Sequence, residues 1–278
     1  MPTSRPTSRW SDLERPPLDV RALNRALADG EPWREIRVVD ETGSTNADVA
    51  ELARRGEPAG LVLVAEHQTA GRGRLGREWR APARSGLSFS VLLRPGVATG
   101  LLPLVPLLVG VGVARGVAKV AEVEIALKWP NDLLIGDRKL GGILAERVET
   151  PDLTGSAVVV GVGLNVSLRE AELPVPSAIS LTLAGAVRAD RDTVLRAALR
   201  GIAAEYLGWL AAGGDAERST LPAYRELCAT LGRRVRVELP GDRVIEGVAT
   251  AVDADGSLLV DTVAGARVVT AGDVVHVR

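Results

Sequence analysis

The sequence LVLVAEHQTAGRGRLGREWRAPARSGLSFSVLL, residues 61–93, decides between several folds. Its first eight residues are mostly apolar, which predicts a buried strand, and residues 86–93 alternate polar and apolar, which predicts a second strand. The loop between them contains GRGRLG (71–76), a match to the dinucleotide-binding pattern G-x-G-x-x-G. That pattern requires a helix directly after the glycines and an acidic residue about twenty positions later. Here tryptophan, proline and another glycine follow, and residues 91–100 contain no Asp or Glu, so a dinucleotide-binding fold is excluded.

Strands and helices are predicted on both sides of this stretch. Residue 44 or 45, a Ser and a Thr, would cap the helix that begins at about residue 46. The apolar periodicity predicts helices at residues 18–28, 46–55, 104–120, 191–211 and 217–229, and strands at residues 35–39, 61–68, 86–93, 125–128, 132–135, 141–149 and 156–166.

The character of the chain changes after Leu231. Five short Val-rich segments follow, separated by PGD, ADG and AG turns. This spacing predicts a small β-barrel of SH3-like size over residues 231–278. We therefore place a domain boundary near Thr230, with a main domain over residues 36–230 and a disordered tail and short helix over residues 1–35.

Composition excludes several classes of protein. The chain has 278 residues, of which 46% are hydrophobic and 25% charged, which is typical of a soluble protein with a full-sized core. Its net charge of −1 gives no overall basic field for nucleic acid or an anionic membrane. The single cysteine, Cys228, excludes an intramolecular disulfide and a multi-cysteine zinc site, and fits a reducing cytoplasm. With two histidines in the chain, a His-clustered metal site is not expected.

Two segments resemble targeting signals only superficially. Residues 2–9 read PTSRPTSR and lack the apolar core of a secretory signal, so we expect a disordered tail over residues 1–15. Residues 95–114 carry no charge over twenty positions, which is long enough for a membrane span. They contain three prolines and no aromatic anchor, so a loop followed by a buried helix is favoured.

Cationic residues are concentrated at two loops. The chain has 31 arginines and three lysines, so arginine supplies the general surface charge and each lysine is a candidate for a specific chemical role. Arginines follow the glycines at positions 72, 74 and 77, and the segment 128–146, KWPNDLLIGDRKLGGILAE, contains two of the lysines. Glycines allow a backbone to close around a ligand, and arginines hold carboxylate or phosphate oxygens. An arginine-rich surface turn remains the alternative for the loop alone.

Five motifs occur together: TGSTN (42–46), EHQTAGRGRLGREW (66–79), KWPNDLL (128–134), KLGGIL (139–144) and GVGLNV (161–166). With the C-terminal strands, the chain from residue 37 to residue 278 resembles the biotin–protein ligases of the BirA type. The resemblance implies an α+β fold, in which a mixed β-sheet packed by helices, related to class II aminoacyl-tRNA synthetases, precedes a small C-terminal SH3-like β-barrel. Residues 36–230 would then be the catalytic domain, which binds biotin and ATP.

The resemblance also implies a two-step reaction. Biotin and ATP would form biotinyl-5′-AMP and pyrophosphate, and the acyl group would pass to one lysine of a biotin carboxyl carrier domain, the implied partner. Clustered Arg, Lys and Mg²⁺ would relieve the repulsion between the biotin carboxylate and the α-phosphate, with Mg²⁺ arriving on ATP and not at a fixed protein site. Hydroxyls and an amide would satisfy the uncharged ureido ring.

Site roles follow from the resemblance, position by position. The catalytic residues would be Lys139, Arg72, Arg74, Lys128 and Asp132. The biotin-binding residues would be Ser44, Thr45, Asn46, Gln68, Gly71, Arg72, Gly73, Arg74 and Lys139. The nucleotide-binding residues would be Arg74, Arg77, Trp79, Lys128, Asn131 and Asn165.

Several alternatives and exclusions accompany this interpretation. About forty residues precede TGSTN, too few for the winged helix-turn-helix of some relatives, so no nucleic-acid partner is expected. The interpretation of residues 95–114 as a loop and a buried helix predicts no membrane partner. A lipoate or octanoate ligase shares the fold and an essential lysine, and a non-catalytic biotin sensor is the other alternative. The sequence gives no signal for the oligomeric state.

Overall fold

The computed structural model describes residues 15–27, 32–150, 156–239 and 243–277. The predicted disordered tail lies outside these residues, except for Arg15. A seven-stranded sheet forms the centre of the fold, in the order β1-β2-β3-β7-β6-β5-β4. Its strands are β1 (Glu35–Thr42), β2 (Leu61–Gln68), β3 (Gly86–Leu93), β4 (Ala126–Lys128), β5 (Asp132–Ile135), β6 (Arg138–Val148) and β7 (Ala157–Asn165).

This sheet is mixed, as expected. β1 and β2 are parallel, and each remaining neighbouring pair is antiparallel. The predicted bounds of β2, β3 and β5 are confirmed. The glycine loop, residues 69–79, joins β2 to β3, and the strand that follows it pairs directly with β2. The absence of a crossover helix between these strands confirms the exclusion of a dinucleotide-binding fold.

Helices cover both faces of the sheet. They are α1 (Val20–Leu27), α2 (Thr45–Arg54), α3 (Val105–Ala121), α4 (Arg191–Ala211) and α5 (Thr220–Leu227). The hydrophobic side chains of α3, α4 and α5 pack with alternate residues of β2 and β3, including Val62, Val64 and Phe89. On the opposite face, α2 packs against Leu61 and Leu63. β2 is therefore apolar on both faces because both are covered.

The apolar segment after residue 95 forms a core helix, as predicted. The run Thr99–Ala121 has the length and apolarity of a membrane span, but 61% of its most apolar window is buried inside this fold. α3 approaches α4 closely, because a Cβ at Gly112 would lie 2.6 Å from the carbonyl carbon of Gly201. Glycines at the crossing thus bring the two helix backbones into contact.

The C-terminal strands form an antiparallel sheet that does not close. They are β8 (Arg234–Leu239), β9 (Arg243–Val252), β10 (Leu258–Thr262), β11 (Gly265–Val269) and β12 (Asp273–His276), in the order β11-β10-β9-β8-β12. Five strands were expected and are present, but the expected barrel is not closed within the described residues, since β11 and β12 are opposite edges. The inner face of the sheet, including Val235 and Val252, belongs to the same hydrophobic cluster as α3. Because the main core covers that face, the sheet has no need to close on itself.

Candidate functional site

Two adjoining cavities lie where β2, β6 and β7 meet the glycine loop. The inner cavity has a volume of about 110 Å³ and the outer one about 820 Å³. Of the sequence-predicted site residues, all except Gly71 line at least one cavity. The inner cavity is lined by Ser44, Thr45, Asn46, Gln68, Arg72, Gly73, Arg74 and Asn131, the outer one by Lys128 and Asn165, and both by Arg77, Trp79, Asp132 and Lys139.

Uncharged polar side chains, those of Ser44, Thr45 and Gln68, line part of the inner cavity. The Oε1 atom of Gln68 accepts hydrogen bonds from the backbone N–H of Thr45 at 2.8 Å and from its hydroxyl at 3.1 Å. Because these donors fix the orientation of the amide, its NH₂ group is left to donate. The hydroxyl of Ser44, the N-cap residue of α2, makes no cap hydrogen bond. This part of the cavity wall therefore offers both donors and acceptors without a formal charge.

Asn46 lines the same cavity, but its side chain is hydrogen-bonded inside the protein. Its Nδ2 donates to the Leu144 carbonyl at 3.1 Å and to Glu146 at 2.7 Å, and its Oδ1 lies 2.6 Å from the hydroxyl of Ser90. Gly161 leaves the room for this amide, since a Cβ there would lie 2.2 Å from Oδ1. Asn46 thus supports the wall of the cavity. Sequence reasoning missed Ser90 and Glu146.

Trp79 forms the wall between the two cavities. Its ring packs on Gly163, where a Cβ would lie 2.4 Å from Cε2. The indole Nε1 is buried and has no hydrogen-bond partner among the described residues. Gly71 lies behind this wall, because a Cβ there would be 2.4 Å from the Trp79 carbonyl. The alternate glycines of β7 and the glycine loop therefore provide the space that the indole occupies.

Two of the three lysines meet one carboxylate at the junction of the cavities. Lys139 Nζ lies 2.6 Å from Asp132 Oδ1, and Lys128 Nζ lies 3.9 Å from Oδ2. Burial lowers the pKa of Lys128, Asp132 opposes that shift, and Lys139 and Arg77 add to it. The register of β5 and β6 produces this arrangement, since Asp132 pairs with Gly142 in the strand that carries Lys139.

The arginines of the glycine loop bring further positive charge. Arg72 and Glu78 form a backbone bridge across the loop, and the Gly73 N–H donates to the Arg77 carbonyl at 2.7 Å. Arg74 is half-buried, and burial lowers its pKa. The loop is thus a folded hairpin-like turn with its arginines directed at the cavities.

The two predicted asparagines also serve the framework. Asn131 Nδ2 donates to the Ile143 carbonyl at 2.8 Å, and Asn165 Nδ2 donates to the Ile179 carbonyl at 3.0 Å. In each case one amide oxygen is left as an acceptor beside a cavity. These residues hold the ends of β5 and β7 in place as well as lining the site.

The C-terminal sheet contributes residues that sequence reasoning missed. Asp273 lines the inner cavity, and His276 and Arg233 line the outer one. Burial, with Lys128 and Arg233 nearby, lowers the pKa of His276 to about 4. None of these three stands in a recognisable motif, so only the docking of the sheet reveals them. In the described part of the chain, no group of three or more His, Cys, Asp or Glu residues could hold a metal ion.

Comparison with known proteins gives the same assignment at both ends of the chain. Residues 37–165 match the Biotin/lipoate A/B protein ligase family, and residues 230–277 match the Biotin protein ligase C terminal domain. The chain is 43% identical to the biotin–[acetyl-CoA-carboxylase] ligase of Mycobacterium tuberculosis, over 96% of this chain and 98% of that protein. The chain belongs to the biotin protein ligase family.

Other relatives agree with this family membership. The chain is 34% identical to the bifunctional ligase/repressor BirA of Escherichia coli, covering 84% of this chain and 70% of that protein. A biotin protein ligase from Aquifex aeolicus, solved in complex with biotin and ATP, superposes with a TM-score of 0.72 at 29% identity, over 88% of this chain and 100% of that one. The expected family, enzyme class and mixed-sheet architecture of a biotin protein ligase are therefore confirmed.

Proposed function

We propose that this enzyme activates biotin with ATP to biotinyl-5′-AMP and then transfers the biotinyl group to a lysine of a biotin carboxyl carrier domain. The observation on which the proposal rests is the position of Lys139, which lines both the inner cavity, where Ser44 and Gln68 form an uncharged wall, and the wider outer cavity. The first cavity suits a neutral ring, and the second suits a nucleotide. The reacting carboxylate and phosphate would meet at their junction.

The inner cavity matches the ureido ring of biotin in its hydrogen-bonding groups. The ring presents two N–H donors and one carbonyl acceptor. Ser44 supplies a hydroxyl and Gln68 a free amide NH₂ on one wall of the cavity, while the Thr45 hydroxyl, bonded to Gln68 and Ser90, holds that amide in place. At about 110 Å³ the inner cavity is smaller than the roughly 300–1,000 Å³ of typical small-molecule sites. Residues of the glycine loop line this cavity, so an outward movement of the loop would enlarge it for biotin.

The first step requires charge neutralisation. A carboxylate oxygen of biotin attacks the α-phosphorus of ATP, the bond to the bridging oxygen of the β-phosphate breaks, and pyrophosphate leaves. Lys139, Arg72 and Arg74 would stabilise the negative charge that gathers on the oxygens of the α-phosphate. Such preorganised charge is commonly the largest contribution to catalysis. Arg77 and Lys128 would hold the departing pyrophosphate, and Trp79 would flank the adenine.

The second step requires only a neutral amine near the mixed anhydride. The lysine nitrogen attacks the acyl carbon, the bond to the AMP oxygen breaks, AMP leaves with the electron pair and the amine loses one proton. Asp132 would orient the incoming amine, because its carboxylate lines both cavities. No enzyme nucleophile is needed, which agrees with the scarcity of histidine in the chain.

Mg²⁺ is expected to enter with the nucleotide. Asp132 is paired with two lysines, and among the described residues no cluster of acidic or imidazole side chains could hold a metal ion. Mg²⁺ is commonly bound through substrate phosphates and few protein ligands, so this donor set fits MgATP. We place the reaction in the cytoplasm, which the single buried cysteine fits.

The experiment that tests the proposal compares acyl substrates directly. The protein is incubated with ATP and Mg²⁺ and either biotin or lipoate, and the acyl-adenylate is detected by mass. A biotin carboxyl carrier domain is then added and its mass is followed. We expect biotinyl-AMP and a carrier heavier by one biotinyl group. Formation of lipoyl-AMP alone would favour the lipoate ligase, and the absence of any adenylate would favour a non-catalytic biotin sensor.

A further inference from the structure

The turn that precedes β12, in the C-terminal sheet, contacts the glycine loop through two arginine side chains. Arg74 Nη2 donates to the Gly272 carbonyl at 3.3 Å, and Arg77 forms an ion pair with Asp273. We call these four residues the clasp. It joins segments 198 positions apart in the chain, and both of its arginines line the inner cavity.

The two sides of the clasp differ in freedom. The Asp273 side chain is 17% exposed, whereas that of Arg77 is 60% exposed. Asp273 begins β12 and pairs with Glu238 of β8. A Cβ at position 272 would lie 2.7 Å from Val237 Cγ1, so the turn packs tightly on β8. The carboxylate is therefore fixed to the sheet, and the arginine is the partner that can move.

Arg77 has two competing uses. In the proposed function it neutralises phosphate, yet in the free enzyme its guanidinium is paired with Asp273. Among the described residues, Arg77 is the partner with which Asp273 forms an ion pair. A phosphate that takes the guanidinium must displace this carboxylate. The same displacement would release the loop that narrows the inner cavity.

We propose that Asp273 is a positioning residue that competes with the phosphates of ATP for Arg77, and thereby sets ATP affinity and holds the glycine loop closed in the free enzyme. This inference rests on the proposed function, because it assigns phosphate to the outer cavity. It gives the C-terminal sheet a defined part in the first step. In this assignment Asp273 acts through Arg77 and takes no direct part in the chemistry.

The test measures ATP binding and the hydrogen-exchange protection of the loop in variants that remove or keep the charge at position 273. Asp273→Asn removes the charge and keeps the shape, Asp273→Glu restores the charge, and Asp261→Asn is the control. Asp261 is an exposed carboxylate on β10 of the same sheet, away from both cavities. MgATP titration by calorimetry gives affinity, and hydrogen exchange of residues 69–79 reports the loop.

We expect Asp273→Asn to tighten MgATP binding and lower the KM for ATP by roughly twofold to fivefold, the range of an exposed ion pair, with kcat unchanged. Loop amides should exchange faster in the free variant. Asp273→Glu and Asp261→Asn should behave as wild type. In the Arg77→Ala background, Asp273→Asn should have no effect, because the competition needs the guanidinium.

Two results would overturn the inference. Weaker or unchanged ATP binding in Asp273→Asn would mean that the carboxylate supports the loop or does nothing to Arg77. An equal gain in ATP affinity in the Arg77→Ala background would mean that Asp273→Asn acts through the overall electrostatic potential of the site and not through Arg77. The Asp273 carboxylate takes no part in the β8–β12 backbone ladder, so the variant is expected to fold, and thermal unfolding checks this. If the wild type forms no biotinyl-AMP, the proposed function is wrong. The MgATP titration and the hydrogen exchange would still test whether Asp273 competes with phosphate for Arg77.

Discussion

Replacing Lys139 by alanine should separate catalysis from stability. In the folded enzyme its Nζ lies 2.6 Å from Asp132 Oδ1, with 35% of its side chain exposed. Partly exposed ion pairs contribute about 0–1 kcal/mol, so we expect Lys139→Ala to lower the free energy of unfolding by less than about 1 kcal/mol. The loss in the transition state should be much larger. Removing one preorganised donor from a developing negative charge costs about 2.7–4 kcal/mol, or roughly 10²–10³ in rate.

The assay is single-turnover formation of biotinyl-AMP with enzyme in excess, beside urea unfolding of the same samples. Lys119→Ala is the matched control, because Lys119 is the third lysine of the chain and lies exposed in the last turn of α3, away from both cavities. Binding of neutral biotin analogues should change little in Lys139→Ala. Adenylation at a rate near that of the Lys119→Ala control would refute the assignment, and so would a loss of rate that merely follows unfolding.

Three further substitutions test the framework around the site. Ser90→Ala should cost about 1–3 kcal/mol in urea unfolding, because the Oδ1 of Asn46 loses a hydroxyl 2.6 Å away; a neutral result would contradict that reading of the network. Arg191→Leu should lower the free energy of unfolding by about 3–5 kcal/mol, because it leaves the Glu66 carboxylate, which is 4% exposed and lies 2.5 Å from Arg191, without its charged partner. Full stability would show that Glu66 finds other partners. In the folded chain the pKa of His276 is lowered from 6.5 to about 4, so the unfolded chain binds its proton at a higher pH than the folded chain does. The contribution of His276 to stability is therefore present above pH 6.5 and is lost as the pH falls towards 4. His276→Gln should flatten the change in unfolding free energy between about pH 7.5 and about pH 5, and an unchanged slope would assign that pH dependence to other groups.

The large sheet was predictable because its signals are local. β2 is a continuous apolar run that is buried on both faces, and the alternation of β3 matches its burial over residues 86–89, whereas its last residues are buried throughout. α4 likewise begins and ends where its periodicity predicted, with Asp190 accepting from the Thr193 N–H as its cap. Whether the C-terminal sheet closes into a barrel could not be predicted from local sequence. It depended on whether the main core would cover Val235 and its neighbours, which no pattern within residues 231–278 states.

The candidate site divides in the same way. Lys128 and Lys139 stood out because lysine is rare in this chain, and the structure places both beside Asp132. Asn46 was assigned to biotin only through the resemblance, and its amide is largely engaged by Leu144, Glu146 and Ser90, contacts that depend on α2, β3 and β6 meeting. Motif spacing therefore predicted residues that the structure brings together around the two cavities, while tertiary contacts decide which of their atoms remain available to a ligand.

The C-terminal sheet shows why that distinction matters for function. Every motif of the resemblance ends at or before Val166, and from motifs alone the last fifty residues could be a structural cap. Yet Asp273 reaches the inner cavity and His276 the outer one, and Trp129 Nε1 donates to the Gly256 carbonyl at 2.9 Å between the two sheets. Because this docking fixes Asp273 beside a movable arginine, a change in the sheet would alter ATP use before it altered the uncharged end of the biotin cavity. Substitutions that loosen the sheet without unfolding it should therefore change the KM for ATP more than the KM for biotin. An equal change in both constants would mean that the sheet acts only by stabilising the fold.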